Sequence, residues 1–138
     1  MNTFRLMMLC YFAFISSGCG TTNPDIVPDN SQLAVRQLQT RHYDTLDTTL
    51  TMRSVVATLQ DLGFIIDAAD PDLGLVTGTR LHDYTMRMTV TVAQKSDDRV
   101  AVRANARINE TGISDPRTYQ DFFVVLDKAM FLTLNQVD

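Results

Sequence analysis

The sequence predicts an α+β domain built as a two-layer sandwich. In this prediction an antiparallel sheet of about five strands carries two helices on one face, in the order β-α-β-β-β-β-α. Three observations lead to it. Residues 84–93 and 99–109 both alternate apolar and polar side chains with a period of two, which is typical of strands with one buried face. Residues 52–62 and 119–130 place their apolar side chains at helical spacing. Turn-forming residues separate these segments.

The first strand and the first helix are predicted near the start of the domain. Residues 35–44, VRQLQTRHYD, alternate loosely and are interpreted as a strand. Asp47 or Thr48 then caps a helix, because a short side-chain oxygen accepts a hydrogen bond from an amide of the first turn. Gly63 follows at the position where a left-handed residue ends a helix. The apolar stripe of this helix comprises Met52, Val55, Val56, Leu59 and Leu62.

Four strands are predicted after the first helix. One begins at Phe64-Ile65-Ile66-Asp67, and 75–80, LVTGTR, is the returning strand after a turn that contains Pro71 and Gly74. The alternating segments 84–93 and 99–109 then form a hairpin joined by the polar loop QKSDD. One face of each arm is therefore expected to be buried and the other to meet water or a partner.

A last helix is predicted from Asp115-Pro116, which supplies a cap and a proline for the first helical position, to about Leu134. Its inward stripe comprises Tyr119, Phe122, Phe123, Leu126 and Met130. Further apolar residues lie around the helix at Val124, Val125, Phe131 and Leu132. These residues are either deeply buried, which the pattern favours, or part of an exposed patch for a partner.

The first twenty residues predict an exported chain. Arg5 precedes ten uncharged residues, from Leu6 to Ile15, as in a secretory signal peptide. This stretch is shorter than the ~20 apolar residues that a transmembrane helix needs. Ser16-Ser17-Gly18-Cys19 follows and resembles the lipobox of bacterial lipoproteins, with Ser16 standing where that family prefers leucine or another aliphatic residue.

The lipobox resemblance implies a lipid anchor. In that family the chain is cut before the cysteine, whose sulfur carries a diacylglycerol, so Cys19 is the expected lipidation site. Gly20, rather than aspartate, after the cysteine implies sorting to the outer membrane of a Gram-negative cell, with the domain facing the periplasm. The expected organisation is a signal peptide over 1–18, a lipidated N-terminus and flexible tether over 19–34, and a single α+β domain over 35–138.

Two further resemblances concern the domain itself. From Arg36 to Leu134 the chain resembles uncharacterised domains of small Gram-negative lipoproteins, on the stretches LQDLGFIID (59–67) and LGLVTGTR (73–80). The helix-on-sheet arrangement also resembles the BamC-like domains of outer-membrane assembly lipoproteins, in architecture only. A shared fold does not transfer a function, so neither resemblance supplies catalytic residues.

Composition and motifs argue against several function classes. The formal net charge of −4 becomes −5 once Arg5 leaves with the signal peptide, and a mildly acidic chain is a poor general binder of nucleic acid. The two histidines, His42 and His82, belong to no hydrolase, metalloprotease or phosphate-loop motif. The close aspartates at 67, 70 and 72 lack the pattern of a calcium loop and are interpreted as a turn. The sequence therefore predicts no enzyme, no metal and no cofactor.

The candidate binding residues are arginines. Arg87, Arg103 and Arg107 share the polar face of the predicted hairpin, and Arg80 is expected to join them at the edge. With a five-residue loop, Arg103 is expected opposite Thr89 and Arg107 opposite Thr85. Guanidinium groups suit carboxylates and phosphates, so this face could meet an acidic protein, lipid phosphates or glycan carboxylates. The alternative, which the pattern favours, is a solvated face that keeps the sheet soluble.

Three functions remain open at this point. The first is a non-catalytic accessory or scaffold in an envelope complex, which contacts an envelope protein through the hairpin face or the last helix and the membrane through its lipid anchor. The second is a binding module for an anionic envelope component, such as lipid phosphates or peptidoglycan, on Arg87, Arg103 and Arg107. A small hydrolase ranks last.

Overall fold

A computed structural model describes residues 30–96 and 98–135 of the chain. The predicted signal peptide over 1–18, Cys19 and the tether as far as residue 29 lie outside the described residues. The helices are α1 (Asn30–Leu38), α2 (Thr48–Asp61) and α3 (Pro116–Leu134). The strands are β1 (Thr40–Tyr43), β2 (Ile65–Asp70), β3 (Leu75–Leu81), β4 (Thr85–Ser96), β5 (Arg99–Ile108) and β6 (Thr111–Gly112).

The strands form one antiparallel sheet in the order β1-β5-β4-β3-β2, and the short β6 pairs with β5 beyond the end of β1. The α2 and α3 helices pack against each other, and α2 also contacts β2, β3 and β4. The strand residues that face these helices are buried, whereas most residues on the opposite side of β4 and β5 are exposed. This architecture confirms the predicted α+β two-layer sandwich.

The predicted apolar stripes form the core between the two layers. Asp47 caps α2 by accepting a hydrogen bond from the Leu50 amide (2.8 Å), and Gly63 follows the helix with a φ of +81°. Asp115 caps α3 in the same way, with Pro116 in the first turn. The buried residues of the two helices include Met52, Val55 and Leu59 of α2 and Tyr119, Phe122, Phe123, Leu126 and Met130 of α3.

The start of the domain differs from the prediction. Residues 30–38 form a helix, α1, where the sequence predicted the end of a tether and the beginning of a strand; only Thr40–Tyr43 of the predicted 35–44 strand is extended. The segment NSQLAVRQL is rich in good helix formers, and α1 packs against β1 and α3. The described part of the chain therefore has three helices rather than two.

The hairpin register also differs from the prediction. The expected loop QKSDD is shorter, because β4 continues to Ser96 through an irregularity after Gln94 and β5 begins at Arg99. Arg103 consequently lies opposite Thr91 rather than Thr89. Arg107 lies opposite Arg87 rather than Thr85. A shift of two residues leaves every side chain on the same face of the sheet, so the buried set is unaffected.

Tyr119 closes a gap in the hydrogen bonding along the edge of β5. The β1 strand pairs with residues 100–103 of β5, and β6 pairs with residues 107–108. Between them, the Ala104 amide donates to the Gln39 carbonyl (2.8 Å) and the Ile113 amide donates to the Ala106 carbonyl (2.9 Å), which leaves the Ala106 amide to the Tyr119 hydroxyl. The Tyr119 hydroxyl accepts hydrogen bonds from Gln39 Nε2 (3.0 Å) and from the Ala106 amide (3.3 Å). It donates to the carbonyl of Ile113 (2.6 Å). One buried hydroxyl of α3 thereby links the α1–β1 junction, β5 and the segment that follows β6.

Candidate functional site

The side of the sheet that faces away from α2 and α3 is the main candidate site, and we call it the outer face. At its centre are the outward side chains of β4 and β5: Arg87, Thr89, Thr91, Arg103, Asn105 and Arg107. Thr77 and Thr79 of β3 flank them on one side, and Thr40 of β1 flanks them on the other. Alternation along each strand produces this face, because every second residue is committed to the core.

The cross-strand register sets the geometry of the arginines. Arg87 and Arg107 are direct cross-strand partners, the next outward pair is Thr89 with Asn105, and the pair after that is Thr91 with Arg103. Neighbouring strands lie about 4.8 Å apart, so the two opposed guanidinium side chains leave the sheet side by side. Like charges in this arrangement destabilise the fold and favour binding of an anion.

Acidic groups are separated from these arginines. The segments that form β4 and β5 contain no aspartate or glutamate, and among the described residues no carboxylate lies within ion-pair distance of Arg87, Arg103 or Arg107. The nearest acids on the sheet belong to the edge strand β2, where Asp67 accepts a hydrogen bond from the Thr79 hydroxyl (2.6 Å). The outer face is therefore cationic over β4 and β5 and acidic at its far edge.

The structure places Arg80 away from this group, which corrects the prediction. Arg80 is the cross-strand partner of Met86 and shares the inner side of β3 with Val76 and Gly78. Its guanidinium lies over the Phe64 ring, 4.9 Å from the centroid, and donates a hydrogen bond to the Leu62 carbonyl (3.2 Å). The sequence indicates this position of Arg80, because residues 76, 78 and 80 of one strand share a face and Val76 is expected in the core.

A second polar cluster joins β1 to α3. Asp127 accepts hydrogen bonds from Arg41 Nη1 and from the Tyr43 hydroxyl (2.8 Å), and the Arg41 guanidinium lies 4.8 Å from the centre of the Phe123 ring. Burial raises the pKa of the Tyr43 hydroxyl well above its ordinary value, and the Asp127 carboxylate raises it further. The partners are more than 80 residues apart, so no local pattern in the sequence indicates this cluster. Its contacts fix the position of the short β1 strand.

The two histidines lie apart from each other. His42 is exposed on the outer side of β1, opposite Ala101. His82 lies in the turn between β3 and β4, where its Nδ1 is 3.1 Å from the Asp83 carboxylate, and both side chains are largely exposed. Over residues 30–96 and 98–135, no group of three or more histidine, cysteine, aspartate or glutamate residues is placed to hold a metal ion.

The α3 helix presents an apolar surface to solvent, which overturns the favoured expectation of deep burial. Val124, Phe131 and Leu132 are 65, 66 and 54% exposed, whereas Val125 is half-buried. In the part of the chain that the structure describes, no helix is both long enough and apolar enough to cross a membrane.

Sequence comparison with protein-family models and with curated proteins finds no match. The assignment of a function therefore depends on the residues and the geometry of the outer face.

Proposed function

We propose that this chain is an outer-membrane lipoprotein whose periplasmic domain acts as a non-catalytic accessory or scaffold in an envelope complex. In this proposal, acyl chains on Cys19 hold the protein to the membrane. The domain contacts an envelope protein with an acidic surface through Arg87, Arg103 and Arg107. The lipobox-like segment SSGC supports the anchor.

The observation that carries the partner proposal is the open, cationic outer face. Flat sheet faces suit macromolecules better than small ligands, which favour concave sites. None of the three arginines lines the cavities of 480, 200 and 430 Å³. A cavity of 370 Å³ beside α1 is lined by Arg103 but not by Arg87 or Arg107. An acidic protein surface would neutralise the arginines and satisfy the threonine and asparagine side chains between them.

A second candidate function has one specific observation in its favour. Arg87 and Arg107 are cross-strand partners on one face, and each guanidinium presents a fork of N–H donors that suits a phosphate or a carboxylate. The domain would then bind an anionic envelope component, such as a lipid phosphate or peptidoglycan, on the same face.

The anchor can be tested by metabolic labelling with an alkyne-bearing fatty acid. We expect the chain to incorporate the label and to fractionate with the outer membrane, and Cys19→Ser to lose both properties. Cys10→Ser is the internal control and should keep the label, because Cys10 lies in the predicted signal peptide. Label that persists in Cys19→Ser would contradict lipidation at this residue.

The partner can be tested by mild-detergent co-purification from cells. Arg87→Glu with Arg107→Glu should remove a co-purifying acidic protein. The matched control is Arg53→Glu with Lys128→Glu, which makes the same charge change at exposed helical positions. The second candidate function would be favoured if no protein co-purifies and if binding to anionic vesicles or peptidoglycan is lost in the Arg87→Glu, Arg107→Glu variant. Equal binding by both pairs would contradict a role of the outer face.

A further inference from the structure

A separate cleft lies at one end of the domain, between the C-terminal end of α2, the β3–β4 turn and the N-terminal end of α3. Two cavities of 480 and 200 Å³ form it, and both are lined by Leu62, Arg80 and Tyr84. Because the same three residues line both cavities, the two cavities are adjacent. Arg87, Arg103 and Arg107 line neither of them, so the cleft is distinct from the outer face.

The smaller cavity has an apolar floor and a polar mouth. Phe64, Met86 and Met88 line it and are only 4, 3 and 1% exposed. Tyr84 and Thr118, on opposite elements, add hydroxyl groups. Polar groups supply most of the remaining lining, so the cavity places apolar side chains beside polar ones, as an amphipathic small molecule requires.

Two arginines line this cleft, the half-buried Arg80 and the exposed Arg117. The contacts of Arg80 hold its guanidinium in place. It stacks on Phe64, donates to the Leu62 carbonyl and directs Nη2 to the Met86 sulfur at 3.6 Å. A guanidinium has five N–H groups, so these two contacts leave others available to a ligand. Within the described ranges, no carboxylate lies at ion-pair distance from this half-buried cation. A partly desolvated cation without a counterion favours an anion.

The charge around the cleft selects among anions. Asp83 lines the larger cavity, and Asp115, Asp121 and Arg117 line the smaller one. The three carboxylates of the cleft therefore outnumber its two arginines. These carboxylates repel a doubly charged phosphate more strongly than a singly charged carboxylate. The methionine-lined floor adapts to apolar groups of different shape.

We propose that this cleft binds a small amphipathic monocarboxylate. Its carboxylate accepts hydrogen bonds from Arg80, and its apolar body lies against Phe64, Met86 and Met88. This inference is independent of the lipid anchor and of any partner on the outer face.

The test uses the full chain carrying Cys19→Ser, so that no attached acyl chain competes for the cleft, with ¹³C-methyl-labelled methionines observed by NMR. The probes are octanoate, octan-1-ol and inorganic phosphate. We expect octanoate to shift the methyl signals of Met86 and Met88 saturably and to leave Met52 unchanged. Octan-1-ol and phosphate should each bind at least about tenfold more weakly, because one lacks the charge and the other lacks the apolar body.

Arg80→Gln should weaken octanoate binding about tenfold or more, and Arg80→Lys should weaken it less, because the positive charge remains. If Arg80→Gln disturbs the Met130 signal, and hence the core, Tyr84→Ala decides, since Tyr84 is 48% exposed and lines both cavities. No saturable shift with octanoate would overturn the proposal. Octan-1-ol or phosphate binding as tightly as octanoate, or unchanged binding in a folded Arg80→Gln or Tyr84→Ala, would also overturn it.

Discussion

Substitution of Tyr119 by phenylalanine should be far more damaging than the loss of one oxygen atom suggests. Tyr119 is 1% exposed, and its hydroxyl serves the Gln39 side chain, the Ala106 amide and the Ile113 carbonyl. Without the hydroxyl, Gln39 and Ala106 retain buried donors that have no replacement on that edge of β5. Each unsatisfied buried group costs about 1–3 kcal/mol, so we expect a loss of about 2–4 kcal/mol.

Urea denaturation followed by circular dichroism measures this loss directly, because the chain contains no tryptophan for fluorescence. For a domain of this size the expected loss lowers the midpoint of thermal unfolding by roughly 10–20 °C. The Ala106 amide should also exchange with solvent faster in the variant. Tyr84→Phe is the matched control and should change the unfolding free energy by less than about 0.5 kcal/mol, since Tyr84 is half-exposed. An equally small change for Tyr119→Phe would refute the role assigned to its hydroxyl.

Three other substitutions test the packing at Gly74, the half-buried Tyr43 and the outer face. Gly74→Ala should lower the free energy of unfolding in urea by at least about 2 kcal/mol, because Gly74 has a φ of +63° and an added Cβ meets the Val92 carbonyl oxygen. Gly112→Ala is the control and should be tolerated, since an added Cβ there meets no other atom. The unfolding free energy of the wild type should fall as pH rises above about 10, because Tyr43 loses its proton more easily in the unfolded chain than in the folded one. Tyr43→Phe should reduce this fall. An equal dependence of the unfolding free energy on pH in the wild type and in Tyr43→Phe would contradict the raised pKa. Arg107→Thr should raise the urea midpoint at low salt but not at high salt, because it removes the like charge opposite Arg87; a loss of stability at low salt would contradict the repulsion.

The periodic elements could be predicted from the sequence because burial imposes their pattern. The stripe on α2, the inward residues of α3 and the alternation of β4 and β5 each reflect one face committed to the core. The outer position of Arg87, Arg103 and Arg107 follows from the same alternation. Arg80 could also have been placed correctly, since it has the same parity as buried Val76.

Other features depend on contacts that no local pattern records. Residues 30–38 include good helix formers, but a helix of nine residues is marginal on its own, so α1 also depends on its packing against β1 and α3. The hairpin register depends on where β4 ends, and polar residues such as Gln94–Ser96 can extend a strand as readily as form a loop. The Tyr119 contacts join residues as much as 80 positions apart. Part of the apolar surface of α3 is exposed because no other described element packs on that side of the helix. The periodicity of the sequence does not show how many elements cover a helix.

In-cell photo-crosslinking from position 105 tests the proposed docking role of the outer face most directly. Asn105 lies in the middle of that face, between the rows that contain Arg87, Arg103 and Arg107, and a photoreactive residue there leaves Cys19 intact. Position 124, exposed on α3, serves as the comparison. The proposal predicts a discrete protein adduct from position 105 that disappears when Arg87→Glu and Arg107→Glu are present. Adducts from position 124 alone, or adducts from position 105 that survive both charge reversals, would contradict docking on the outer face.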